Sequence, residues 1–383
     1  MDLSKAGEAV GAVKASGLDG VVVADTALSE VDGEAGRLVI AGHDVEAIAG
    51  RASFEQVCAL LWRVGLGAAP EAVQPEAVRA AIAEGRVQAH ARLPELGDAL
   101  ASDDGSSALR AATAHLGLRG AARKGEAPWV EFAHIAGALA VFTAAWARRG
   151  AGAAVIAPDP SLGQAADLLR MVRGEPAPEA AVRGLDTYLV TVADHGMNAS
   201  TFTARVVAST GSDTVSSVVA AIGALKGPLH GGAPGPVLDM LDGVGDPSRA
   251  AGWIEGELSA GRRIMGMGHR IYRVRDPRAA VLEKAAGELE RAGVATRRLE
   301  LARAVERAAE AALAARHPDR PLKANVEFYT AVLLDAVGLS RTLFTPAFAV
   351  GRVAGWCAHI AEGRRVGRLV RPASRYVGPP PGA

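Results

Sequence analysis

The sequence predicts a mainly α-helical protein with one short β hairpin near its N-terminus. Three observations carry that prediction. After about residue 50, apolar residues recur at three- and four-residue spacing along nearly the whole chain. Alanine dominates these segments, so propensity agrees with pattern and helices can pack closely. The only convincing strand signal is confined to GVVVADTALSEVDGEAGRLVIAG, residues 20–42.

Within that signal, residues 21–24 and 38–40 are β-branched-rich runs, with turn residues Asp32, Gly33 and Gly36 between them. They predict a small hairpin or a pair of short strands. Helical periodicity then marks 54–64, 107–116, 129–149 and 179–193. Asp213 is placed to cap a helix through Leu225, which Gly227 and Pro228 stop. Asp276 followed by Pro277 is an N-cap with proline at the first helical position, opening a helix to about Arg291. A further helix spans 297–316. No repeat of fixed period appears.

The 383 residues can bury a large core and suggest two or three domains. Lys plus Arg and Asp plus Glu number 42 each, which gives no electrostatic reason to expect a nucleic-acid partner. Cys58 and Cys357 share no metal-binding or redox spacing, and a reducing, cytoplasmic setting is expected. The first twenty residues carry early acids and no apolar core, unlike a signal peptide. The longest uncharged run, HIAGALAVFTAAWA at 134–147, is too short to span a bilayer and reads as a core helix.

Three histidine segments interrupt the helical pattern. His195 precedes the polar run Asn198 to Thr201, His230 is trailed by Gly231 and Gly232, and His269 follows Gly266 and Gly268. Glycine beside histidine serves either a tight turn or the close approach of a ligand. There is no GxSxG elbow, no Walker A loop, no complete dinucleotide fingerprint and no HExxH pair. The histidines therefore read as hydrogen-bond donors, and no metal site is expected. Arg278, in the first turn of a helix, is placed for an anion; Arg352 and Arg371 are further candidates. Between Lys323 and Asp335 the sole charged residue is Glu327. It is either an acid favoured at a helix start behind the N-cap Asn325, or a base tuned by partial desolvation.

Taken in order, GPLHGGA, MGMGHRIYRVRDPRA, NVEFYTA and LFTPAFAVGRVAGWCAHIAE resemble the citrate synthase family. GLDGVVVADTALSEVDGEAGRLVIAGHD and DHGMNASTFTARVVAST resemble it as well. The resemblance implies a large helical domain of residues 1–225 and 331–383, a small one of 226–330, a cleft between them and a homodimer. It implies condensation of acetyl-CoA with oxaloacetate, coenzyme A thioester being a substrate and no cofactor being permanently bound. His230 would polarise the thioester carbonyl, His269 the ketone of oxaloacetate, and Glu327 would remove the thioester α-proton. His195, Arg278 and Arg352 would hold substrate carboxylates, and Arg371 would reach the neighbouring subunit's site. Gly266, Gly268 and Arg273 would contact coenzyme A.

The family pattern most often reads PNVDFY where this chain has ANVEFY. The extra methylene moves the carboxylate head, and a misplacement of about 1 Å costs roughly a hundredfold in rate unless the backbone retreats. A second departure is APGP after His230-Gly-Gly, which alters the loop holding that histidine. A 2-methylcitrate synthase is the close rival, since one methylene in an apolar pocket discriminates by only about 1–3 kcal/mol. The rival of a different class is a metabolite-binding relative with little or no turnover.

Overall fold

The computed structural model describes residues 17–18, 20–118, 125–232, 234–294, 297–319, 322–376 and 378–379. The leader reading of the N-terminus rests mostly on residues 1–16, outside this set, and Ala233 of the APGP departure lies outside it too.

A three-stranded antiparallel sheet, β1 (Ser29–Asp32), β2 (Arg37–Ile40) and β3 (His43–Asp44), opens the fold. Ser29 pairs with Ile40 and Asp32 with Arg37. The Asp32 carboxylate accepts from the backbone N–H groups of Glu34 and Ala35, which closes the turn. The hairpin thus uses the predicted turn, but residues 21–24 form no strand. They have β-branched composition without a partner ladder, and Val21, Val22 and Val23 are exposed.

Helices follow: α1 (Val45–Ile48), α2 (Phe54–Leu66), α3 (Pro75–Ala91), α4 (Gly105–Ala114) and α5 (Pro128–Gly150). Next come α6 (Gln164–Arg173), α7 (Glu179–Thr191), α8 (Ala199–Ser209), α9 (Thr214–Leu225) and α10 (Pro234–Val244). The last are α11 (Ala250–Ser259), α12 (Pro277–Arg291), α13 (Arg297–Arg316), α14 (Val326–Ala336) and α15 (Phe344–Val366). Asp213, Asp276 and Asn325 cap α9, α12 and α14 with side-chain oxygens that accept from backbone N–H groups, as their positions predict.

Two helices organise the core. In α5, every residue from Phe132 to Ala145 is buried, and so is every residue of α15 from Phe348 to Glu362. The run 134–147 proves to be only the middle of α5, whose 23 residues are long and apolar enough to cross a membrane. Most of its apolar window is packed inside the protein, so it is the core helix that its composition suggested, though longer. Arg352, His359 and Glu362 are polar residues within the buried stretch of α15.

Candidate functional site

Two loops and three helix starts converge. The chain after His269 returns to the start of α14: Gly268 N donates to Lys323 O at 2.7 Å and Asn325 N to Gly266 O at 2.9 Å. Asn325 Nδ2 donates to Gly268 O at 2.8 Å, while its Oδ1 accepts from Glu327 N at 3.0 Å. One side chain therefore caps the helix that carries Glu327 and ties down the loop that carries His269. Gly266 and Gly268 have φ of 74° and 85°, and a Cβ on either would stand 2.9 Å from Phe328 or Leu322. The glycines are needed for this close packing, whatever else they touch.

Asp276 joins the start of α12 to that of α14. Its carboxylate accepts from Arg278 N at 3.0 Å, Nε at 3.0 Å and Nη2 at 2.7 Å, and from Val326 N at 3.2 Å. Arg278 is thus clamped in the buried first turn of α12, with Nη1 unused by any hydrogen bond among the described residues. Arg352 is buried on α15, where Nε donates to Val192 O at 2.6 Å and the guanidinium lies 4.8 Å from the Phe348 ring centroid. Burial and the nearby Arg278 pull its pKa down to about 10, against the pull of Asp194, so it stays charged at neutral pH. Two buried guanidinium groups with spare donors, near enough to repel each other, form a site for an anion.

Glu327 lies within the field of both cations. Burial raises its carboxyl pKa to about 7, with Asp276 adding to the rise and Arg278 and Arg352 opposing it. Its side chain nevertheless remains partly open to solvent. A carboxyl that titrates near neutrality is poised to take and return a proton.

The histidines are neutral. His269 Nδ1 accepts from Ile271 N at 3.1 Å and Tyr272 N at 3.2 Å, which puts the ring proton on Nε2 and makes that edge a donor. Burial and Arg278 push its pKa down to about 4. His230 is likewise pushed down to about 4, by burial, Arg352 and Arg278. His230 Nε2 lies 2.8 Å from Ser200 Oγ, which accepts from Trp356 Nε1 at 3.1 Å and is 2.8 Å from Asn198 Oδ1. The single Ser200 proton satisfies either Asn198 or His230; in the second case the His230 proton sits on Nδ1. His195 is held well below the usual histidine range by burial and by both arginines, and its Nε2 is 3.2 Å from the Tyr272 hydroxyl. The Tyr272 ring sits 4.8 Å from the His269 ring and 5.8 Å from that of His195, and the two histidine rings are 5.7 Å apart, so the three pack as a triangle.

The structure thus brings His195, His269, Arg278, Arg352 and Glu327 into one electrostatic cluster, with His230 beside it. Arg273 is exposed on the His269 loop, its Nη1 donating to Arg270 O at 3.1 Å. Arg371 is not brought in. Val370 N donates to Ser209 Oγ, at the far end of α8 from Ser200. That helix spans roughly 16 Å at 1.5 Å per residue. Sequence reasoning missed Ser200, Tyr272 and Asp194. Each sits within a quoted motif, but only the fold reveals what its side chain touches.

Comparison with known proteins agrees with the geometry. Residues 17–373 match the family model described as citrate synthase, C-terminal domain. The citrate synthase of Haloferax volcanii is 37% identical over 94% of this chain and 95% of its own. The 2-methylcitrate synthase of Mycobacterium tuberculosis is 36% identical over 94% of this chain and 90% of its own. The crystal structure of citrate synthase from Thermoplasma acidophilum, a ternary complex with carboxymethyl coenzyme A and oxaloacetate, superposes with a TM-score of 0.81 at 28% identity, covering 95% of this chain and 96% of that one. With the family model spanning nearly the whole sequence and the motifs meeting in one cluster, the chain belongs to the citrate synthase family.

Proposed function

We propose that the protein condenses acetyl-CoA with oxaloacetate to give citrate and free coenzyme A. The observation that carries this reading is Glu327, a carboxyl with a pKa of about 7 beside two buried arginines and a histidine whose Nε2–H is fixed as donor. Arg278, Arg352 and His195 hold the carboxylates of oxaloacetate. His269 Nε2–H donates to its ketone oxygen and makes the ketone carbon electrophilic. Glu327 takes a proton from the carbon next to the thioester carbonyl, while His230, with its proton on Nδ1, donates to that carbonyl oxygen. The enol carbon then bonds to the ketone carbon, the ketone oxygen gains its proton from His269, and water cleaves the thioester. The residues supply the charge and proton transfers themselves, and the thioester brings coenzyme A as a substrate.

The loop of Gly266 and Gly268, with Arg273 as phosphate partner, binds coenzyme A in this reading. Residues 226–330 move as a small domain over a large one made of 1–225 and 331–383, which shields the enol from water. The active unit is a homodimer. The distance of Arg371 from its own chain's cleft supports its service in the partner's. The setting is cytoplasmic.

Thiol release from acetyl-CoA and from propionyl-CoA with oxaloacetate, with the product identified by mass, tests the reading. Turnover with acetyl-CoA yielding citrate is the expected result. Preference for propionyl-CoA would move the assignment to 2-methylcitrate. Oxaloacetate binding without thiol release from either would leave a metabolite-binding protein.

A further inference from the structure

The β1–β2 hairpin touches both halves of the cluster. At its base, Ser29 Oγ donates to Asp194 Oδ2 at 2.5 Å and accepts from Gly196 N at 2.8 Å, so one hydroxyl grips the chain on both sides of His195. At its tip, Gly33 O accepts from Arg273 N at 2.9 Å, in the loop that follows His269. The tip contact leaves no space. A Cβ on Gly33 would stand 2.3 Å from Ile271 O, a backbone atom that no rotamer change can move away. Gly36 repeats the close approach, a Cβ there lying 2.5 Å from a Val274 methyl.

The base contact reaches further. Asp194, gripped by Ser29, is the chief anion acting on Arg352, and its Oδ2 is 3.2 Å from His359 Nε2 on the same buried stretch of α15. Ser29 and Gly33 lie four residues apart on a strand and its turn, stiffened by the ladder to β2. An element stiffened in this way, gripping the His195 chain at one end and the His269 chain at the other, fixes the separation of the two rings at 5.7 Å whenever residues 226–330 are seated against the rest.

We propose that this hairpin is a strap that sets the geometry of the ketone-binding site, with Ser29 and Gly33 as positioning residues. The proposal rests on the condensing function above, in which His195 and His269 share one substrate. Such a pair acts on one ketone only when both rings are oriented to it, so a shift of about 1 Å costs on the order of a hundredfold.

The test compares wild type with Gly33→Ala, Ser29→Ala, Ser29→Thr and the exposed control Glu34→Ala. Gly33→Ala and Ser29→Ala are expected to lower kcat/KM for oxaloacetate at least tenfold, with a smaller change in KM for acyl-CoA and thermal midpoints that show a folded chain. Ser29→Thr, which keeps the hydroxyl, restores most of the activity, and Glu34→Ala behaves as wild type. Amide hydrogen exchange supplies a readout independent of turnover. In a strap, Gly33→Ala speeds exchange not only at Arg273 but also at Gly196, and Ser29→Ala does the converse. Wild-type kinetics in Gly33→Ala, or exchange changes confined to the mutated end, would overturn the proposal. If wild type itself releases no thiol, the function falls and the exchange result alone decides the strap.

Discussion

Two buried polar clusters share helix α15, and they differ in one respect. Around His359 and Glu362 the polar groups largely satisfy one another. Arg205 Nη1 donates to Glu362 Oε2 at 2.6 Å and lies 3.1 Å from His359 Nδ1, while Ala27 N donates to Glu362 Oε1 at 2.9 Å. With Nδ1 facing a guanidinium that can only donate, the His359 proton sits on Nε2, toward Asp194. Two helical turns earlier, Arg352 reaches one carbonyl and an aromatic face, and among the described residues the nearby Glu327 receives no charge-assisted hydrogen bond. Unsatisfied buried charge is costly, so a fold keeps it where a ligand completes it. The closed cluster is complete in itself, and the open one is what the proposed function needs a ligand to complete.

Removing the open cluster's carboxylate should separate the two roles most sharply. In Glu327→Gln, turnover should fall by about 10²–10⁴-fold, the usual contribution of a positioned base. The same change should stabilise the protein by about 1–3 kcal/mol at pH 8, because the native state no longer holds a partly desolvated carboxylate in its ionised form. Thiol-release kinetics and urea unfolding check both signs on one variant. A loss of stability at pH 8 would mean that Glu327 is a structural acid after all.

The closed cluster should behave in the opposite way. Arg205→Ala leaves Glu362 buried beside His359 without its cation, a loss of about 3–5 kcal/mol. The urea midpoint should drop with little change in slope. The folded fraction should keep a larger share of its activity than Glu327→Gln does. Turnover lost as completely as in that variant, with stability unchanged, would erase the distinction between the clusters.

How much of this was legible in the sequence follows from where each signal lives. Helix starts are local, so Asp213, Asp276 and Asn325 were readable as caps from their neighbours alone. The resemblance named His195, His230, His269, Arg278, Glu327 and Arg352, which the fold brings together, because motifs keep their order. Strand pairing is not local: the runs read from composition were 21–24 and 38–40, whereas the partner of 37–40 is 29–32. Tertiary partners were the least visible. Ser200 looked like one polar residue in a helix-start run, yet it connects His230, Asn198 and Trp356. Asp194 looked like the residue before a histidine, yet it is the counter-charge of Arg352, 158 positions away on α15. The buried stretch of α15 hid three polar side chains among apolar ones, and composition cannot say which of them joins which cluster.

The pH dependence should sharpen the comparison further, with smaller effects. His230 and His269 titrate near 4 in the fold against about 6.5 when unfolded, and His195 is lowered too. Below 6.5 the unfolded chain binds more protons, so these groups cost stability as pH falls from 6.5 toward 4. Glu327 works the other way. Its folded pKa of about 7 exceeds the unfolded value near 4.5, so the protection it contributes is present below 4.5 and lost as pH rises through 7. For catalysis the sign reverses, because a base must be ionised. In the free enzyme, kcat/KM should fall about tenfold per pH unit below 7, and the histidines, already neutral there, should add no second limb until near 4. Glu327→Asp distinguishes the two sources: a limb set by the carboxyl moves with the substitution, whereas a limb that stays in place near 6.5 would belong to a histidine still charged in the fold.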